Sequence, residues 1–130
     1  MNKYGFALIG SIASIVSARL YVGLGGPLNF SILGHSLHHF YYGVGLLILA
    51  GILKLRKIDL PGLIPFLTGA GLGFITDETT LIIFIGHAYT MQLYDSPINI
   101  SMDVLLLLGL WKLSSAQEDY LPISGPEVAI

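Results

Sequence analysis

Four apolar stretches, at about 4–22, 38–53, 60–78 and 98–113, take up more than half of this 130-residue chain, and charge is nearly absent from their interiors. Each approaches the length of about 20 residues that a helix needs to cross the hydrocarbon core of a bilayer. Only 11% of the residues are charged, against about 25% in soluble domains, which is too little polar surface to cover such runs in water. In lipid every backbone polar group must be satisfied within the segment, so the stretches are expected to be helices. The expected fold is all-α: a polytopic transmembrane bundle of four spans in a single domain, 1–113, with a polar cytoplasmic tail at 114–130. Segment 79–94 is 16 residues long with His87 inside it. It is expected to be a short outer or re-entrant helix rather than a fifth span.

The same composition removes several classes of function. With no cysteine, the chain has no disulfide scaffold, thiolate zinc site, Cys-ligated iron–sulfur cluster or cysteine nucleophile. A net charge of −2 offers no footprint for nucleic acid. Lys54, Arg56 and Lys57 crowd the connection between the second and third stretches. The positive-inside rule therefore puts that connection, Lys3, Lys112 and both termini on the cytoplasmic side of a plasma membrane. Lys3 ahead of an apolar run ending Val16-Ser17-Ala18 also has the makings of a signal peptide. The small-residue stripe Gly10, Ser14, Ala18 argues instead for a retained span that packs closely on a neighbour, and Gly69 with Gly73 reads the same way.

Arg19 is the basic residue that breaks the orientation rule, and its height explains where it belongs. Sixteen residues separate it from Lys3, and sixteen separate His38 from Lys54, each about 24 Å of helix. Asp77 stands seventeen residues after Leu60, about 25 Å up, with Glu78 one step higher. Three stretches thus bring polar residues to one depth, near the outer face of a core about 30 Å thick. Asp103 is expected deeper, about 14 Å above Lys112, or higher if its helix extends to Glu118. Arg19 is expected to pair with one carboxylate and leave the other free.

His35, His38 and His39 have the i, i+3, i+4 spacing that shares one helical face. With Asp77, and with His87 or Asp103 in reserve, they form a mixed nitrogen–oxygen set suited to zinc, iron or manganese. Glu78 or Asp77 would then be the general base. A haem held by His38 or His39 together with His87 is the alternative cofactor. The plainer reading puts the histidines in the headgroup layer among Tyr21, Phe30, Phe40, Tyr41 and Tyr42, an aromatic belt. It takes Tyr89 and Tyr94 as interface anchors and Asp103 as polar glue between helices.

His35-Ser36-Leu37-His38-His39 resembles one His-x-x-His-His box of membrane desaturases and hydroxylases, a family that uses about eight histidines where this chain has four. His38-His39-x-x-x-Gly43 with Gly71-x-Gly73-x-x-x-Asp77-Glu78 resembles small, uncharacterised multi-span membrane proteins of prokaryotes, archaea among them, over about 40 residues. That resemblance implies an architecture in which the histidines meet the Asp-Glu pair, and it implies no reaction. The leading functional expectation is an integral membrane protein with a divalent-metal site near the outer face, handling a lipid-like substrate that enters from the bilayer. The alternative is an accessory subunit of a larger membrane complex, a redox complex among the options, or a homo-oligomer whose small-residue stripes face partner helices.

Overall fold

The computed structural model describes residues 1–27, 30–32, 35–58, 60–84 and 90–119, with side-chain surroundings at 1–27, 37–58, 60–84 and 90–116. In chain order its elements are α1 (Lys3–Gly23), β1 (Phe30–Ile32), β2 (His35–Leu37), α2 (His39–Leu55), α3 (Leu63–Asp77), α4 (Thr79–Ile83), α5 (Met91–Tyr94) and α6 (Pro97–Asp119). The body is all-α, and its four long helices fall on the four apolar stretches. Two helical stretches, Lys3–Gly23 and Met91–Ala116, are long and apolar enough to cross a membrane, while α2 and α3 are apolar but shorter, at 17 and 15 residues.

Local chemistry accounts for the helix ends. Asn2 caps α1 by accepting from the Gly5 N–H at 2.9 Å, supplying one of the acceptors that a helix N-terminus lacks. Pro97 opens α6 at the position where its missing N–H costs nothing, and the Ser96 hydroxyl accepts from the Asn99 N–H. Segment 79–94 holds two short helices in its described part, α4 and α5. At the other end, α6 runs on to Asp119, so the tail begins six residues later than expected; Ala116, Gln117 and Glu118 are good helix formers. Residues 120–130 lie outside the described residues.

Helix α3 is the centre of the bundle: α1, α2 and α6 all pack on it, and α6 also packs on α1. The Asn2 amide donates to the Ser114 carbonyl at 2.7 Å, and the Ser114 hydroxyl to Asn2 Oδ1 at 3.2 Å. The start of α1 and the far part of α6 therefore share one end of the bundle. Small residues set the spacing. Gly69 lies against the backbone of Ala7, Gly73 against Ser11 and Ser14, and Gly10 against the Phe66 carbonyl. The Ser11 hydroxyl donates across the α1–α3 seam to the Gly69 carbonyl at 2.8 Å. Gly43 and Gly71 make the equivalent close approach between α2 and α3. Both expected small-residue stripes thus face each other across this seam.

Small residues supply much of the interior. Ala7, Ala18, Ala50, Ala70, Ser11 and Ser14 are buried, while Leu20, Leu55, Leu105 and Trp111 are 59%, 84%, 63% and 60% exposed. Small residues at helix contacts and large apolar ones outside are what packing in lipid selects.

Candidate functional site

The end of the bundle away from Asn2 and Ser114 gathers the embedded charge. Arg19, at 25% side-chain exposure, pairs with three carboxylates: its Nε donates to Asp77 Oδ1, one terminal nitrogen to Asp95 at 3.1 Å and the other lies 3.5 Å from Asp103. The planar guanidinium presents donors in several directions at once, which a lysine does not. Its carbon also stands 4.3 Å from the centre of the Tyr94 ring, and the Tyr94 hydroxyl donates to Asp77 Oδ2 at 2.6 Å. Both oxygens of the fully buried Asp77 are therefore committed, one to a cation and one to a phenol.

Asp103 corrects the expected depth. It lies in the Arg19 layer and not below it, because α6 continues past Lys112 to Asp119; the higher of the two expected placements is the one found. Tyr94 corrects another expectation. It is 1% exposed, an internal hydrogen-bond donor to a buried carboxylate, and no interface anchor. Beneath it, Asn99 Oδ1 accepts from the Thr80 N–H at 2.8 Å and its amide donates to the Tyr94 carbonyl at 3.0 Å. Asn99 thereby ties α4, α5 and α6 together and holds Tyr94 in place. Sequence reasoning assigned Tyr94 to the interface and missed Asn99, although an asparagine opening an apolar stretch demands hydrogen-bond partners once buried.

Glu78, directly after α3, is also fully buried. Its Oε2 accepts from the Phe40 N–H at 2.8 Å, one of the N–H groups left over at the start of α2; an anionic oxygen there also suits the positive end of the helix. Its Oε1 faces two imidazoles, at 3.7 Å from His38 Nδ1 and 3.8 Å from His39 Nδ1. These separations exceed a hydrogen bond. Glu78 Oε1 and His39 Nδ1 make no hydrogen bond among the described residues.

The shared helical face expected for the histidines is not found. His35 belongs to strand β2, paired with Ile32 in an antiparallel hairpin; His38 has extended backbone as the N-cap and His39 begins the helix. A helical i, i+4 relation needs helical backbone at both residues, and β2 removes it. The side chain of His35, and His87 and Tyr89 altogether, lie outside the described residues. Among the described residues no three histidine or carboxylate side chains are placed to hold a metal ion. Three of the carboxylates converge on Arg19 instead.

Beside this layer lies a cavity of about 350 Å³ lined by Ser17, Ala18 and Tyr21 of α1, His39 and Tyr42 of α2, and Phe74 of α3. Leu37 of β2 and Pro27 complete the lining. Ser17, Tyr21, Pro27 and Tyr42 are its exposed members, Tyr21 at 43% and Tyr42 at 40%, so among the described residues the cavity opens between α1 and α2. The His39 ring has Tyr21, Tyr42, Phe74 and Tyr94 around it, with ring centres 6.0, 6.1, 6.1 and 6.5 Å away. One edge of this imidazole thus meets a buried carboxylate while its body lies among aromatic rings. The arrangement can place a polar group of a mainly apolar ligand beside His39 and Glu78. No protein-family model, curated protein or solved structure matches this chain.

Proposed function

We propose that this chain is a four-span integral membrane protein whose outer end binds a lipid-like ligand in the α1–α2 cavity, with His39 and Glu78 as its polar groups. One observation carries the reading: Glu78, fully buried, aims an oxygen without a hydrogen-bond donor among the described residues at two imidazoles, one of which lines a cavity. A buried polar atom left in this state needs a role, and ionisable groups inside a span default to function. The cavity supports an apolar ligand, since its opening lies between two helices where the bilayer would be. On this reading Asp77 holds Arg19 and Tyr94 in position, and Glu78 is the chemical carboxylate.

Four spans are supported by the large exposed apolar side chains and by the length of α1 and α6. The shorter α2 and α3 span about 25 and 22 Å, a modest shortfall that local thinning of the bilayer accommodates. Five basic residues, Lys3, Lys54, Arg56, Lys57 and Lys112, belong to the cytoplasmic end. Because the chain has no cysteine, single replacements give a clean test. Cysteine at Leu24, which is 87% exposed, should react with an impermeant maleimide on intact cells. Cysteine at Lys57 should react only after permeabilisation. The opposite pattern overturns the orientation.

The ligand reading is tested by native mass spectrometry of the protein released from mild detergent. A small lipid is expected at about one per chain, within the range of about 300–1,000 Å³ typical of ligand cavities. Ser17→Phe, which fills the cavity from an exposed position, should abolish it while leaving thermal unfolding unchanged. Equal lipid retention in both proteins sinks the reading.

A further inference from the structure

The other end of the bundle holds a second and larger cavity, about 720 Å³, formed between α1, α2 and α3. Its walls are apolar, with Ala7 on α1, Leu47 and Ala50 on α2, and Ile64 and Leu72 on α3. Thr68 on the α3 wall donates its hydroxyl to the Ile64 carbonyl at 2.9 Å, which satisfies that polar group within its own helix. Leu110 of α6 also reaches the cavity, and Lys3 and Lys54 are its charged side chains among the described residues. Both are exposed, and the Lys3 ammonium stands 5.0 Å from the centre of the Tyr4 ring. No carboxylate lines the cavity among the described residues. Space exists here because α1 and α2 both lean on α3, and because α2 presents Ala50 and Gly51 at this level. A side chain added at Gly51 would meet nothing within 4 Å.

An apolar groove whose charged lining is two lysines suits an amphiphile with an anionic head. We propose that this groove binds one anionic phospholipid, with its phosphate held between Lys3 and Lys54 and an acyl chain against the Ile64–Thr68–Leu72 face of α3. The inference rests on the membrane reading above, under which the lysines stand in the cytoplasmic leaflet. Basic pockets between spans on that side are where anionic headgroups bind. A phosphocholine head carries its own compensating cation and gains less from the same two charges.

The test uses the full chain, extracted in mild non-ionic detergent and exchanged with an equimolar mixture of phosphatidylglycerol and phosphatidylcholine. Native mass spectrometry then counts the lipid retained per chain. Phosphatidylglycerol should be retained at about one per chain, with a preference of about thirtyfold over phosphatidylcholine, as two lining lysines imply. Lys3→Gln/Lys54→Gln should remove the preference. Arg56→Gln/Lys57→Gln, which deletes the same charge outside the cavity lining, should leave it intact, and Gly51→Phe should exclude both lipids by filling the groove. Equal retention of the two lipids overturns the site, as does an equal loss in both charge variants or no effect of Gly51→Phe. Lipid-free dimers would also overturn it, in favour of a second copy as occupant. Carbonate extraction of the starting membranes separates the two failures. A chain released by carbonate defeats the membrane reading itself, whereas a chain that stays in the membrane without lipid preference defeats only this site.

Discussion

Arg19→Leu is expected to cost about 3–5 kcal/mol of stability, the scale for removing one partner of a buried ion pair. The reason lies less in the lost attraction than in what remains. Asp77 is fully buried and Asp103 is 7% exposed, and without Arg19 their nearest cation is gone. A domain stabilised by about 5–15 kcal/mol would lose much of its margin. Arg19→Lys should fall between the two, because one ammonium cannot reach Asp77, Asp95 and Asp103 together in the geometry of a guanidinium. Arg19→Leu/Asp77→Asn should recover a large part of the loss by removing the uncompensated charge. Unfolding of the purified protein in mixed micelles by SDS titration, followed by circular dichroism, measures all three. A single variant within about 1 kcal/mol of the wild type, the usual worth of an exposed pair, would show that the Arg19 network is not buried in the way described.

The second large effect is steric. Gly69→Ala should destabilise by about 1–3 kcal/mol, the usual cost of overpacking, and Gly69→Leu should prevent α1 from docking on α3. The added Cβ would meet the Ala7 backbone, including its carbonyl, and backbone cannot move aside as a flexible side chain does. Gly45→Ala and Gly109→Ala make the same chemical change in α2 and α6 where nothing lies within 4 Å. Those two should be neutral or stabilising by up to about 1 kcal/mol, the gain in helix propensity. The opposite signs are the test, read from the midpoints of the same SDS titrations. Equal stability of Gly69→Ala and the wild type would mean that the two helices do not approach so closely.

The contrast among glycines shows how far local pattern reaches. Gly69 and Gly73 at i, i+4, opposite Gly10 and Ser14, announce a close helix contact from spacing alone, and the α1–α3 seam is built from them. Gly43 and Gly71 make an equally close contact, but they lie on different helices and share no local pattern. Only the packing of α2 on α3 pairs them. Periodicity reports which residues share a face, and it is silent on which two faces meet.

The candidate site divides in the same way. Arg19, Asp77, Glu78 and His38 could be set at one depth by counting residues, since a helix rises a fixed 1.5 Å per residue. Counting could not show which carboxylate the arginine takes. That choice depends on rotation about the helix axes and on α5 and α6, which deliver Tyr94, Asp95 and Asp103 to the same guanidinium. The error over His35 has a local cause: a His-rich run ahead of an apolar helix reads as the first turn of that helix, and strand pairing with Phe30–Ile32 is a contact that helical spacing cannot reveal. Asp103 was set by the length of its helix, which depends on how far α6 continues past Lys112.

By itself, then, the amino-acid sequence determined the helical class, the positions of the four long helices, the small-residue seam and the level at which polar groups gather. These follow from hydropathy, side-chain size and the fixed rise of a helix, all of which are properties of single segments. Only the tertiary structure decided that Arg19 binds three carboxylates, that Tyr94 and Asn99 are internal, and that Glu78 turns from its capping bond toward His38 and His39. Those outcomes depend on buried polar groups finding partners on other segments, and a carboxylate has no preferred partner until folding brings the donors within about 3 Å.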